Sequence, residues 1–459
     1  MSAPVPSTSP KKLFFQTLGC PKNRVDSEVM LGALGHGGYV LVSEPDEADV
    51  MVVNTCSFIE ASKVESIDAI MGLVRAKARG GETQKRVVVA GCFAQRYSQA
   101  IQDEIPEVDL IIGTGEYHRV TELLEAPAPE SGPTVAIGRP YYVHTTDTPR
   151  LLTTPKYTAY LKIAEGCSQR CTFCIIPKLR GKQRSRTVQD IVAEAQVLAA
   201  GGVKELNLIA QDLTHYGQDL DDGTELHDLL PALCRVEGIE WIRLLYCYPH
   251  NVTDKLVEVL ATEPKLVKYL DIPLQHIDDA MLVAMQRRTT EAITRDLLAR
   301  LRTAIPEIVI RTTFIVGFPG ETQAQFDRLA EFVAEQRFDR VGVFTYSQEE
   351  GTKAARFDDD VPADEKERRR DWLMQMQQEI SREKLEQLVG TEVEVLIEGV
   401  SEETELLLQG RIATQAPDVD GVTYINEGSV PVGTIARAEV VQAGDYDLVV
   451  RLLDGSVDA

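Results

Sequence analysis

Residues 165–176 read EGCSQRCTFCII, which puts Cys167, Cys171 and Cys174 in a C-x3-C-x2-C spacing. The stretch before them, TAYLKIAEG (158–166), has the β-branched and aromatic make-up of a strand, so the cysteines stand on a loop at its carboxyl end. Five more strand candidates follow: ELNLIAQ (205–211), WIRLLYCYP (241–249), KYLDIPLQH (268–276), VIRTTFIVGFP (309–319) and RVGVFTYS (340–347). Amphipathic helical patterns separate them. Six β/α units predict a partial TIM-like (β/α)6 barrel over 153–385, with its active site at the carboxyl ends of the strands. A long charged helix, roughly 363–388, closes this block.

Upstream, residues 11–122 repeat the alternation, with strands KLFFQTL, DVMVVNT, RVVVAG and VDLIIG, and predict a second, mainly parallel α/β sheet. The Pro- and Thr-rich segment 123–152 reads as a linker. Downstream, 386–457 changes period to five short strands (TEVEVLIEGV, LLLQGRIAT, GVTYINE, IARAEVVQAG, YDLVVRLL), which predicts a small β-barrel. No internal repeat relates the domains. The fold class is thus α/β, with a small all-β domain last.

Composition narrows the function classes. No apolar run is long enough to span a membrane. The opening MSAPVPSTSPKK lacks the apolar stretch of a signal peptide and reads as a disordered tail of a cytoplasmic protein. Eight cysteines in 459 residues are too few for a disulfide framework, and patterned cysteines in a reducing compartment bind metal or do chemistry. A formal net charge of −23 disfavours strong nucleic-acid binding and favours a basic partner.

Three thiolates on one short loop suit an iron–sulfur cubane. A structural zinc site prefers four closed ligands, and no second C-x2-C pair lies nearby. Three ligands on four irons leave one iron open to a small chelating ligand. A zinc loop and buried thiols are the alternatives. A second set, Cys20, Cys56 and Cys92, is dispersed in sequence, yet each ends a strand and opens a helix: TLGCPKN, VNTCSF and VAGCFAQ. In a parallel sheet all such turns share one edge, so three thiols can converge there; three unrelated buried cysteines are the alternative. Cys234 and Cys247 read as core thiols.

Other residues mark the barrel mouth. Gly317 and Gly320, in FIVGFPGET (314–322), permit close backbone approach to a ligand. Gln211 and Asp212 (AQD) and Gln275 and His276 (LQH) end strands and point the same way, or are satisfied polar residues at strand ends. Arg184 and Arg186, in GKQRSRT, pair with a cofactor or substrate carboxylate or form a solvated loop.

The C-x3-C-x2-C loop after the first strand of a six-unit barrel resembles the radical S-adenosylmethionine enzymes. That resemblance implies that the open iron binds the cofactor's amino and carboxylate groups, that reductive cleavage yields a 5'-deoxyadenosyl radical, that Phe173 packs near the adenine and that the Gly317–Gly320 stretch lies along it. Two three-cysteine sets, a radical barrel and a last domain like TRAM together resemble the methylthiotransferases over about 11–457, through GCPKNRVDSE, NTCSFIEASK, EGCSQRCTFCIIP and GFPGET. The resemblance implies two 4Fe-4S clusters, a radical cluster on Cys167, Cys171 and Cys174 and an auxiliary, sulfur-carrying cluster on Cys20, Cys56 and Cys92. It also implies two S-adenosylmethionine molecules per turnover and an electron donor such as flavodoxin or ferredoxin.

The family divides between a tRNA adenosine and an aspartate of ribosomal protein S-twelve. GCPKNRVDSE and CIIPKLRG resemble the ribosomal branch. Residues 386–459 hold 15 acidic residues, 3 arginines and no lysine, a net of −12 that repels phosphate and attracts a basic protein. The expected reaction is therefore methylthiolation of an aspartate β-carbon in that protein, free or on the small ribosomal subunit. The alternatives are a tRNA adenosine methylthiotransferase, a non-catalytic iron–sulfur RNA-binding or redox protein, and a zinc-stapled scaffold.

Overall fold

The computed structural model describes residues 10–80 and 85–453. Of the stretch expected as a tail, residues 1–9 lie outside the described residues, while Lys11 and Lys12 already belong to a strand. The chain forms two compact units. One holds Met1–Thr153, Glu165–Gln169 and Ile175–Arg184; the other holds Thr154–Ala164, Arg170–Cys174 and Ser185–Ala459.

The first unit is built on a six-stranded, all-parallel sheet. In spatial order its strands are Tyr39–Leu41, Lys11–Thr17, Val50–Thr55, Arg86–Gly91, Leu110–Ile112 and Thr134–Ala136. The residues explain the layering. Val50, Val52, Val88, Ala90, Leu110 and Ile112 face one side, where they pack with Val29, Met30 and Leu34 of the helix Pro21–His36. Met51, Val53, Val87, Val89 and Ile111 face the other, against Ile70, Leu73 and Val74 of the helix Glu60–Arg79. Successive side chains of a strand alternate faces, so unbroken valine runs mark a sheet covered on both sides.

The four expected strands are present, and two more complete the sheet. Tyr39–Leu41 is a three-residue edge strand whose Val40 and Leu41 are exposed. Thr134–Ala136 lies inside the segment 123–152 that reads as a linker, and pairs with Leu110–Ile112. The same segment is tied to the first helix: Arg150 pairs with the buried Glu28 at 2.7 Å, and the Thr153 hydroxyl donates to the other carboxylate oxygen of Glu28 at 2.9 Å.

The second unit carries a six-stranded parallel sheet in the order Arg340–Thr345, Val309–Val316, Leu266–Asp271, Trp241–Leu244, Glu205–Ile209, Thr158–Lys162. Each strand sits beside the next in sequence, so the sheet is an open (β/α)6 barrel, as the strand count predicts. Its helices start on built caps: Thr187, Thr253, Thr290 and Thr322 each accept a hydrogen bond from the third helical N–H. The charged helix Ala363–Glu386 follows.

Five strands, Glu392–Val400, Leu408–Ile412, Thr423–Glu427, Ile435–Ala443 and Leu448–Leu452, close the small barrel around Val395, Ile397, Ile412, Ile425, Val440 and Val450. It is clamped to the open sheet by buried charge. Glu205 pairs with Arg243 at 3.0 Å and with Arg411 of the small barrel at 2.7 Å. The Tyr269 hydroxyl donates to Asp420 at 2.8 Å. Glu205 and Arg340, which faces Asp420 at 3.9 Å, are the first residues of their strands, so the small barrel docks toward the amino ends of the sheet.

Candidate functional site

In the first unit Cys20, Cys56 and Cys92 follow three strands that are neighbours in the sheet: Lys11–Thr17, Val50–Thr55 and Arg86–Gly91. Neighbouring strands lie about 4.8 Å apart, so the three turns span about 10 Å of one sheet edge. The turns touch: a Cβ on Gly19 would fall 2.7 Å from Cys56 Cβ, and one on Gly91 would fall 2.2 Å from Asn54 Oδ1. Both glycines have positive φ, +84° and +95°. Cys20 caps the helix Pro21–His36, whose Pro21 needs no N–H partner there.

Buried polar side chains lie beside the thiols. The helix Pro21–His36 buries Lys22, Asn23, Asp26, Ser27 and Glu28 in its first turns, where a structural helix would bury apolar residues. The Asn23 amide donates to Leu18 O at 3.0 Å and Thr55 O at 2.8 Å, stitching the first two turns together. Its Oδ1 accepts from Arg180 at 2.7 Å and from the Cys92 thiol at 3.9 Å. Arg180, from the short helix Ile176–Arg180, is 2% exposed and pairs with Asp26 at 2.9 Å and Glu165 at 3.1 Å.

Burial pushes the Cys92 thiol up to about 12; the Arg180 cation opposes this, and the charges of Cys56 and Cys20 add to it. Burial, then Cys20, raises Cys56. Clustered thiols that resist ionisation unless positive charge arrives are the donor set an iron–sulfur cluster takes. Among the described residues no three His, Cys, Asp or Glu side chains are arranged to hold a single metal ion. A multi-iron cluster is a wider guest, and the spacing of the three turns fits it.

The C-x3-C-x2-C loop follows the strand Thr158–Lys162, as expected. Cys167 N donates to Gly181 O at 3.0 Å, and Cys174 N donates to Cys171 O at 3.2 Å. In the second unit Phe173 packs against Met281, Met285, Phe318, Tyr346 and Ala354. Gly317 has φ +68°, and a Cβ there would meet Lys366 Cγ at 2.2 Å; its N–H donates to Glu321 at 2.5 Å. Gly320 has φ +82° with open space around it, and its N–H donates to Asp360 at 2.7 Å.

Other candidates have structural partners. His276 is fully buried and bonds Glu321 at 2.9 Å, while Glu321 also holds Arg369 at 2.6 Å. This is the satisfied strand-end arrangement. Gln211 and Asp212 follow the strand Glu205–Ile209, and Asp212 accepts from the Thr214 hydroxyl at 3.0 Å. Arg186 bonds Asp190 (2.7 Å), Glu194 (2.5 Å) and Lys162 O (2.9 Å). Arg184 curls onto Lys182 O at 2.6 Å. Cys234 and Cys247 are buried; burial raises both, Cys234 to about 12.

Sequence reasoning missed Arg180, Asn23, Asp26 and Glu165 around the first thiol set, and Arg287 and Tyr248 beside Cys171. The Arg287 Nη1 lies 3.7 Å from Cys171 Sγ, and its guanidinium carbon lies 4.0 Å from the centre of the Tyr248 ring. Asn23, Asp26 and Arg180 stand inside the quoted motifs GCPKNRVDSE and CIIPKLRG. Their fixed offsets from the cysteines were the available signal.

Over 96% of its length the chain is 53% identical to the ribosomal protein uS12 methylthiotransferase RimO of Anaeromyxobacter sp. (strain K), covering 93% of that protein. It is 52% identical over 98% of its length to the protein of that name from Myxococcus xanthus (strain DK1622), again covering 93% of it. The chain belongs to the RimO family. Family models match in the order this implies: the uncharacterized protein family UPF0004 over 12–113, the radical SAM superfamily over 161–333 and the TRAM domain over 389–453. Solved structures outside the RimO family share the fold. The radical S-adenosylmethionine methyltransferase TsrM from Kitasatospora setae, with cobalamin and a [4Fe-4S] cluster bound, aligns with TM-score 0.55 at 13% identity over 73% of this chain and 72% of that one. The cobalamin-dependent radical enzyme OxsB, bound to aqua-cobalamin and S-adenosylmethionine, aligns with TM-score 0.53 at 14% identity over 80% of this chain and 56% of that one. The α/β architecture with a partial barrel and a TRAM barrel is thus borne out.

Proposed function

We propose that the protein is a radical S-adenosylmethionine methylthiotransferase that modifies ribosomal protein S-twelve at the β-carbon of an aspartate. The observation that carries this is the gathering of Cys20, Cys56 and Cys92 on adjacent strand ends, in a chain that also bears the C-x3-C-x2-C loop. Near-full-length identity to RimO relatives supports the same reading. The enzyme uses two 4Fe-4S clusters and S-adenosylmethionine, two molecules per turnover. Cys167, Cys171 and Cys174 hold the radical cluster; Cys20, Cys56 and Cys92 hold the auxiliary one. When bound, these groups supply one-electron cleavage of the cofactor and the sulfur to be transferred.

The protein's own residues do the rest. Phe173 offers an apolar wall for the adenine beside Met285 and Phe318. Glu321 ties the Gly317 backbone and His276 together at the barrel mouth. Asn23 and Arg180 hold the auxiliary turns in register. We assign the domains as 11–122, 153–385 and 386–457 around the segment 123–152, now with its own strand. The electron donor is a flavodoxin or ferredoxin and the compartment the cytoplasm. No described helix is long and apolar enough to cross a membrane.

The test offers anaerobically reconstituted protein, with reductant and S-adenosylmethionine, a ribosomal protein S-twelve substrate beside a tRNA anticodon stem. Mass spectrometry should find CH2S added to the aspartate, and Cys171→Ala should abolish it. Addition to the RNA instead would overturn the substrate assignment, and no addition with no 5'-deoxyadenosine formed would overturn the reaction.

A further inference from the structure

We propose that Arg287 is a positioning residue for the radical cluster, a fixed cation that holds Cys171 through an N–H···S contact and raises the cluster's reduction potential. The inference rests on the assignment of Cys167, Cys171 and Cys174 as that cluster's ligands.

Arg287 lies just past the helix Asp279–Ala284 and is 9% exposed. Its placement is over-determined. The backbone N–H donates to Leu282 O at 2.8 Å, and Nη2 donates to Pro273 O at 2.5 Å. The guanidinium lies on the Tyr248 ring, which is itself pinned because Arg288 N donates to the Tyr248 hydroxyl at 3.0 Å. This leaves Nη1 directed at Cys171 Sγ, 3.7 Å away.

Its charge is uncompensated. Arg180, Arg186, Arg243, Arg340, Arg369 and Arg411, the other buried arginines among the described residues, each face a carboxylate within 4 Å. Among the described residues no carboxylate pairs with Arg287, and its Nε is buried without a hydrogen-bond partner. A guanidinium stays charged at any working pH, and a buried charge without an opposite charge is strongly disfavoured. An aromatic face offsets part of this cost. The remaining partner of the cation is the sulfur of Cys171, at which Nη1 is directed.

The electrostatic consequence follows. Hydrogen bonds to the sulfurs and nearby charge set a cluster's potential. Reduction adds negative charge next to Arg287, so the cation favours the reduced state. Lysine at this position retains charge but not the planar fork that both donates to Pro273 O and stacks on Tyr248.

The test uses the full chain with Cys20, Cys56 and Cys92 changed to Ala, so that only the radical cluster is reconstituted. The cluster is titrated redox-wise under anaerobic conditions and followed by electron paramagnetic resonance. Arg287→Gln should bind the same iron with a more negative midpoint. A tenfold smaller reduced fraction at fixed poise corresponds to about 59 mV for a one-electron couple. Arg287→Lys should fall between Gln and the parent. If Gln loses the iron while Lys keeps it near the parental midpoint, charge is still the operative property. A Gln midpoint equal to the parent's, or Gln and Lys altered alike, would overturn the proposal. Unchanged iron and spectrum in Cys171→Ala would instead bring down the cluster assignment beneath it.

Discussion

Arg180 holds a permanent charge at 2% exposure, between Asp26 and Glu165 and against Asn23. Replacing it by Met removes a cation from two buried carboxylates. Loss of one partner from a buried ion pair costs about 3–5 kcal/mol. Arg180→Met should therefore lower the melting temperature and strip iron from the auxiliary site, while the C-x3-C-x2-C site keeps its own; calorimetry with iron analysis reads both. An unchanged melting temperature would show that the carboxylates find other compensation. Gly91 is the second sensitive point. At φ +95° it adopts a backbone that alanine resists, and a Cβ would meet Asn54 Oδ1 at 2.2 Å and Thr55 O at 2.6 Å. Gly91→Ala should displace the Cys92 turn and reduce auxiliary iron. Gly320→Ala, at φ +82° with nothing within 4 Å, meets strain without a clash and should be milder. Equal iron loss in the two variants would contradict the close-approach argument.

At the scale of elements, the clamp between the open sheet and the small barrel depends on protonation. Burial alone would raise the Glu205 carboxyl, but Arg411 and Arg243 outweigh it and hold the group well below the ordinary carboxylate range. A depressed folded value contributes stability above the unfolded value, about 4.3, and that contribution fades as pH falls below it. Wild-type stability should therefore drop below about pH 4. Glu205→Gln should start less stable at neutral pH and lose less on acidification, read by denaturant unfolding at stepped pH; parallel curves would show that another group titrates. The elements behind this clamp were legible in the sequence because valine runs, period-two strands and capped helices are local signals. Tyr39–Leu41 was not, because three edge residues with exposed Val40 and Leu41 carry no alternation. Thr134–Ala136 was hidden by its Pro- and Gly-rich flanks. The six cysteines proposed to hold clusters stand out in the sequence by their turns and spacing, but the residues packed around them do not. Arg180 reaches Asn23 across 157 positions, and Arg287 sits in QRRTT, which reads as an ordinary charged surface run.

For the whole molecule, charge distribution decides how a partner is met. The chain carries a formal −23, and residues 386–459 alone carry a net −12. Exposed Glu402, Glu403 and Glu405 flank Leu406, which is 90% exposed. Such a surface speeds encounter with a basic protein and slows encounter with phosphate, and salt screens it over a Debye length of about 10 Å at 0.1 M. Association with ribosomal protein S-twelve should slow by about tenfold between ~0.05 and ~0.5 M salt, with dissociation much less affected. Changing Glu402, Glu403 and Glu405 to Gln should slow association and flatten its salt dependence, leaving iron content and cofactor cleavage unchanged because these residues are remote in role from both cysteine sets. Stopped-flow binding at several ionic strengths measures the slope. A salt-independent rate would mean that the acidity of the small barrel serves solvation alone, and that recognition of the basic partner belongs to another surface.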